Sequence, residues 1–367
     1  MSTSYVITVL GPVAPEALDV VDAHSHLYIA PVPGGAADAP VLTDVEGVAR
    51  ELAIFRGMGG GAVVDCQPGG CGRDGGVLRR LSERSGVHVI ASTGFHRRRY
   101  YPPGAPLFGL SAEAAADYFL GEIREGLLET RDEEPSPAEP VPPPFGRGLG
   151  GGGIEDDPRP SPEGRGSEEP SPQPSLERRG GGPVYPGVIK IAAEATLDAS
   201  PLALFEAAAE VCKATGFAIE MHTERGAAVE DCLAFFGGRG VSPRRLVFCH
   251  VDKRPDFGLH RELAQAGVML EYDTFYRPKY EPERGVWPLL REMAAAGLAG
   301  QVALATDMAD PALWAELRSG AELGGGPGLA GIFTVIRARL ERVGLADDVI
   351  AGLLGGNIAA RLATSDE

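Results

Sequence analysis

Leu18-Asp19-Val20-Val21-Asp22-Ala23-His24-Ser25-His26 is an apolar run that ends in two histidines two residues apart. On a strand, residues i and i+2 point to the same face. An extended His-x-His therefore aims two imidazoles in one direction from the end of a buried strand. Neutral imidazole suits Zn²⁺ and similar ions, so this is a start for a metal site. Alone, the pattern also fits two polar residues closing a strand. What decides is whether other strands end in further ligands.

The flanking chain repeats the plan. Ahead of the stretch, 5–12 alternate like a short strand closed by Gly11-Pro12. Behind it, a Pro/Gly-rich loop leads to Thr43 and Asp44, which are caps for a helix over 44–57. Short apolar strands follow over 62–66, 87–93, 188–192, 217–222, 246–251, 268–273 and 301–306. Helical patterns separate them, among them 111–128, 201–214, 226–236, 258–266 and 286–296, with two more near 329–342 and 347–354. Counting 18–26 there are eight strands. This predicts an α/β protein whose parallel sheet closes into a (β/α)8 TIM barrel. An open doubly wound sheet is the alternative, and the missing Gly-x-Gly-x-x-Gly after the first strand argues against it.

One stretch departs from the plan. Residues 131–182 are mostly Pro, Gly, Ser, Glu and Arg, with eleven acids and six arginines and almost nothing to bury. Such a segment cannot offset its ordering entropy. The expectation is one barrel formed by 1–130 and 183–367, with a disordered insertion at 131–182 before strand four.

The 367 residues are 44% hydrophobic and 23% charged, an ordinary globular balance. No apolar run approaches a membrane span and no secretory pattern opens the chain, so a cytoplasmic protein is expected. The five cysteines are odd in number and irregularly spaced, which fits reduced thiols. Cys66 and Cys249 read as packing residues, Cys249 pointing away from the site by strand alternation. A net charge of -17 argues against nucleic-acid binding.

The strand ends then collect chemistry. His24 and His26 close strand one. Lys190 lies in strand four, His222 ends strand five, His250 ends strand six and Asp307 ends strand eight. Barrel enzymes build their sites at that face. Four histidines, one aspartate and one lysine are an inventory for two divalent cations. The lysine fits only if CO₂ converts its amine to a carbamate, whose two oxygens can ligate one metal each. Two such ions acidify a shared water and polarise the substrate oxygen.

Several segments carry a family resemblance: Thr8-Val9-Leu10-Gly11-Pro12, Asp22-Ala23-His24-Ser25-His26-Leu27, Ser92-Thr93-Gly94-Phe95-His96, Gly187-Val188-Ile189-Lys190-Ile191-Ala192, Met221-His222-Thr223, His250-Val251-Asp252-Lys253, Thr306-Asp307-Met308 and Gly356-Asn357-Ile358-Ala359. Together they resemble the phosphotriesterase-related family of the amidohydrolase superfamily, over nearly the whole chain except 131–182. The resemblance implies that His24, His26 and Asp307 hold one metal and that His222 and His250 hold the other. Carboxylated Lys190 and a hydroxide would bridge them, and Asp307 would accept and pass on the proton of the attacking water. Zn²⁺ is the implied metal, with Mn or Co as substitutes, and a homodimer is compatible.

Cations near the same mouth point to an anionic small-molecule substrate: Lys253-Arg254, Arg277 and the run Arg97-Arg98-Arg99. Gly324 to Gly328 could add backbone N–H groups for phosphate. His250-Val251-Asp252-Lys253-Arg254-Pro255-Asp256, Arg277-Pro278-Lys279-Tyr280 and Gly325-Gly326-Pro327-Gly328-Leu329 resemble the branch that hydrolyses phosphorylated sugar lactones. There, Lys253, Arg277 and either Tyr28 or Tyr100 would hold the phosphate. Met308 to Trp314 departs from that branch, which is usually basic here. The expected activity is a lactonase for phosphorylated or anionic sugar lactones. The alternatives are a general carboxylesterase or phosphotriesterase with the same metals, and a non-catalytic barrel that binds a partner through the acidic insertion.

Overall fold

Eight short strands form a parallel ring in the computed structural model, which describes residues 4–131, 182–307 and 328–365. They are β1 (Val20–Ser25), β2 (Gly60–Asp65), β3 (His88–Ile90, resuming past Ala91 as Ser92–Gly94) and β4 (Val188–Ala192). β5 (Ile219–His222), β6 (Leu246–Cys249), β7 (Met269–Tyr272) and β8 (Val302–Leu304) follow. Each pairs in parallel with the next. The ring closes between β8 and β1. There Asp307 N–H donates to His24 O at 2.8 Å, and Thr306 N–H donates to Asp22 Oδ1 at 2.9 Å.

Helices cover the outside, and their starts are set by capping side chains. Asp44 accepts from Gly47 N–H at the head of α1 (Val45–Gly57), and Asp74 accepts from Val77 N–H at α2 (Gly75–Ser85). Ser111 does the same for α3 (Ala112–Glu125). α4 (Leu202–Thr215) and α6 (Phe257–Ala266) stop at Gly216 and Gly267, both in the left-handed region that glycine adopts freely. α5 (Val229–Gly238) and α7 (Val286–Ala295) complete the described wall before β8.

Strand alternation sorts the core into two shells. Ile189 and Ile191 of β4, Met221 of β5, Phe248 of β6 and Leu270 of β7 join the layer between sheet and helices. Ala62, Val64, Val188, Ala218, Val247, Met269 and Ala303 fill the barrel interior. Val6, from an antiparallel hairpin (Ser4–Thr8 with Gly11–Val13), and Ile358 and Leu362, from a late helix (Asn357–Leu362), join that inner cluster. The alternating stretch expected over 5–12 is this hairpin.

The expected barrel is therefore present, with its eight strands in the expected places. The insertion expected to be disordered lies outside the described residues, apart from Arg131 and Gly182, as do Met308 to Trp314 and most of the Gly324 to Gly328 run. Among the described residues no helix is long and apolar enough to cross a membrane.

Candidate active site

The strand ends bring five histidines together. His24 and His26 ring centroids are 5.5 Å apart, His24 and His250 4.7 Å, and His222 and His250 4.8 Å. The fifth is His96, just past β3, at 5.3 Å from His222 and 6.2 Å from His26. All five line a cavity of about 390 Å³, along with Gln67, Tyr100, Lys253 and Asp307. Pro31, Val32 and the residues from Gly35 to Val41 form an outer wall of the same cavity.

Backbone geometry explains the convergence. Asp22, buried behind the motif, accepts from both the N–H and the hydroxyl of Thr306 and so draws β8 against β1. Asp307 Oδ1 then lies 3.5 Å from His24 Nε2 and 3.9 Å from His26 Nε2. Both His250 (φ 63°) and Asp307 (φ 66°) are in the left-handed region, an uncommon choice for such residues that turns strand ends sharply into the mouth. At β3, Gly94 has φ 107°, and a Cβ there would lie 1.9 Å from the carbonyl oxygen of Lys190. Only glycine allows β3 to approach β4 this closely.

The imidazoles are kept neutral. Burial pushes His24, His96 and His222 well below the usual histidine range and brings His26 down to about 4. His250 is lowered too, by burial and then by Lys253. A neutral imidazole offers a lone pair, which is what a metal needs. Four of these nitrogens, His24 Nδ1 and Nε2, His26 Nδ1 and His222 Nε2, are buried without a hydrogen-bond partner among the described residues. Buried polar atoms are rarely left so. The donor set and its orphaned nitrogens fit divalent cations. His24, His250 and Asp307 offer ligand atoms within 4.8 Å of one another.

Beneath the histidines lies a buried polar stratum. Lys190 Nζ is 3.2 Å from Glu220 Oε1 and 3.7 Å from Cys249 Sγ. Cys66 Sγ donates to the same Glu220 oxygen at 2.6 Å. His24 Nδ1 faces Glu220 at 3.3 Å and Glu271 at 3.6 Å, while His250 Nδ1 meets Asp273. A carboxylate behind a metal-binding imidazole fixes its ring and tautomer. Asp273→Asn should therefore weaken metal affinity by about 10–100-fold. Competition with a chelating dye measures this, and unchanged affinity would remove Asp273 from the role.

One expectation is corrected here and one alternative is narrowed. Cys249 faces inward, because the left-handed His250 breaks the alternation that would have set the two on opposite faces. Tyr28 does not line the cavity: it is half-buried and packs against the hydrophobic core, whereas Tyr100 lines the mouth 4.8 Å from His96.

The expected cations are largely paired. Arg97 bridges Glu194 and Glu224, Arg98 stacks on Phe108, Arg99 pairs with Asp38 and Arg254 with Glu230. Lys253 remains in the cavity wall, 3.7 Å from Asp273. Arg277 bonds Asp307 Oδ2 and lies 3.9 Å from Asp273. Burial would raise both carboxyl groups. Lys253 and Arg277 outweigh it at Asp273, and Arg277 leads the lowering at Asp307, so both are held below the usual range.

His96, Glu220, Glu271 and Asp273 were not singled out from the sequence. His96 carried a usable signal, since it ends strand three as the other histidines end theirs. Glu220 and Glu271 lie inside apolar strands and Asp273 directly follows one, and only their inward parity marks them.

Comparison with known proteins shows the family and the fold. A phospho-furanose lactonase of Mycoplasmopsis synoviae is 24% identical over 97% of this chain and 91% of its own length. The rat N-acetyltaurine hydrolase is 32% identical over 149 residues, 32% of this chain and 42% of the relative. The crystal structure of a lactonase from Listeria monocytogenes superposes with a TM-score of 0.74 at 17% identity, covering 99% of this chain and 100% of that one, which speaks for the fold. The profile of the Phosphotriesterase family matches residues 4–132 and 180–360, and the chain belongs to that family.

Proposed function

We propose that the protein is a metal-dependent lactonase that opens an anionic, phosphorylated sugar lactone. The observation that carries the reading is the cavity itself: neutral histidines and Asp307 at its foot, with the Lys253 ammonium in its wall. The lactonase named above, similar over nearly its whole length, supports the substrate class.

His24, His26 and Asp307 would hold one divalent ion, and His222 and His250 a second. Lys190, carboxylated, would join them, and Zn²⁺ is the metal proposed. Bound there, the ions would supply a polarised substrate carbonyl and a water acidic enough to attack it. The chain's own residues do the rest. Asp307 presents Oδ1 to His24 and His26 and can take the proton of the attacking water, while Arg277 restrains Oδ2. Lys253 attracts the anionic end of the substrate as a point charge. His96 Nδ1 accepts from Arg97 N–H at 2.7 Å, which places the ring's proton on Nε2 as a donor.

The test is a screen of aldonolactone 5-phosphates, neutral lactones, phosphotriesters and N-acetyltaurine with the Zn²⁺-loaded enzyme. Activity confined to the phosphorylated lactones is expected. Turnover of neutral lactones or phosphotriesters alone would overturn the substrate class, and turnover of N-acetyltaurine alone would replace the ester by an amide. Lys253→Met should raise KM for a phosphorylated lactone by about tenfold or more, the scale of one lost charge-assisted bond, with kcat little changed.

A further inference from the structure

At the opposite end of the barrel three arginines meet around a cavity of about 520 Å³. Arg244 and Arg245 immediately precede β6, and Arg361 comes from the late helix Asn357–Leu362. Ser242, Gln301 and Asn357 share the lining. Gln301 precedes β8, so the cavity opens at the N-terminal ends of the strands, away from the histidines.

Two of the arginines, Arg361 and Arg245, are held in place by neutral groups. Arg361 is buried, and its Nη1 donates to Gly267 O at 2.9 Å and Pro243 O at 3.4 Å, its Nη2 to Gln301 Oε1 at 2.8 Å. Arg245 Nη1 donates to Ala363 O at 3.0 Å. A guanidinium carries more donors than these bonds use. Among the described residues no carboxylate pairs with any of the three, in a chain with 51 acids against 34 bases. Burial, and then repulsion from Arg244 and Arg245, pull Arg361 down to about 10. Arg361 is the buried one of the three, with Arg245 half-buried and Arg244 exposed, and its repulsion by the other two without a counter-charge is a cost that a bound anion removes.

We propose that Arg244, Arg245 and Arg361 form a second binding site, for an anion of the phosphate class, at the N-terminal face of the barrel. Guanidinium forks match tetrahedral oxyanions, and Ser242, Asn357 and Gln301 provide neutral polar lining. The inference does not depend on the lactonase reading.

The test is calorimetric titration of the metal-loaded enzyme with inorganic phosphate, comparing wild type with Arg244→Gln/Arg245→Gln. Arg361 is kept because it clamps the backbone. The double variant should bind one phosphate fewer than wild type, or bind it about a hundredfold more weakly, with kcat and KM unchanged. The difference is read whatever number binds at the catalytic mouth, so failure of either reading stays visible. Equal stoichiometry and affinity in both proteins would overturn the site. Citrate competing as well as phosphate would also overturn the class.

Discussion

Asp307→Asn should lower kcat by about 10²–10⁴-fold, the scale of losing a positioned acid–base group, with further loss from weaker metal binding. Its two oxygens have different neighbours: Oδ1 faces His24 and His26, and Oδ2 is held by Arg277. An amide keeps the shape but must choose an orientation. Its NH₂ cannot face the Arg277 guanidinium, since both are donors, so the amide oxygen turns to Arg277. The NH₂ group then occupies the place where a metal ligand and proton acceptor were needed. Metals per chain should fall along with kcat. Circular dichroism separates this from misfolding, because the variant keeps the hydrogen bond to Arg277. An Asn variant with full turnover and a full complement of metal would remove Asp307 from both roles.

The sequence carried this site well where one rule sufficed. Period-two alternation and strand-end placement located His24, His26, Lys190, His222, His250 and Asp307, and all six lie around one cavity or directly beneath it. It failed where a second fact intervened. Cys249 was assigned outward because alternation was carried through His250, whose left-handed backbone no residue pattern announces. The arginine run after β3 read as free charge because its partners Glu194, Glu224 and Asp38 are distant in sequence. Tyr28 follows the motif directly, yet nearness in sequence does not place a ring in the mouth. Glu220 and Glu271 were legible by parity, since residues two before His222 and two before Asp273 share their faces. Buried acids inside strands are easily passed over.

Those acids make Lys190 a counter-ion, and Lys190→Met tests that role together with the proposed carbamate. The side chain is wholly buried, and its Nζ is the cation nearest Glu220. Glu220 Oε2 and Glu271 Oε1 have no hydrogen-bond partner among the described residues. Burial works against the ammonium, but Cys249, Cys66, Glu220 and Glu271 outweigh it and raise its pKa. Removing Nζ leaves Glu220 without its counter-ion. Breaking a buried pair from one side costs about 3–5 kcal/mol, so the metal-free variant should melt several degrees below metal-free wild type. The second half concerns the loaded enzyme. If Lys190 carries a carbamate between the metals, Met cannot replace it, and the variant should hold about one metal rather than two and lose most of its turnover. Bicarbonate separates the halves. Reconstituting metal-free wild type without CO₂ should slow metal uptake, and bicarbonate should restore it, while the Met variant should show no response. Lower stability with normal metal content would leave Lys190 as a counter-ion alone. A variant as stable and as active as wild type would remove it from both roles.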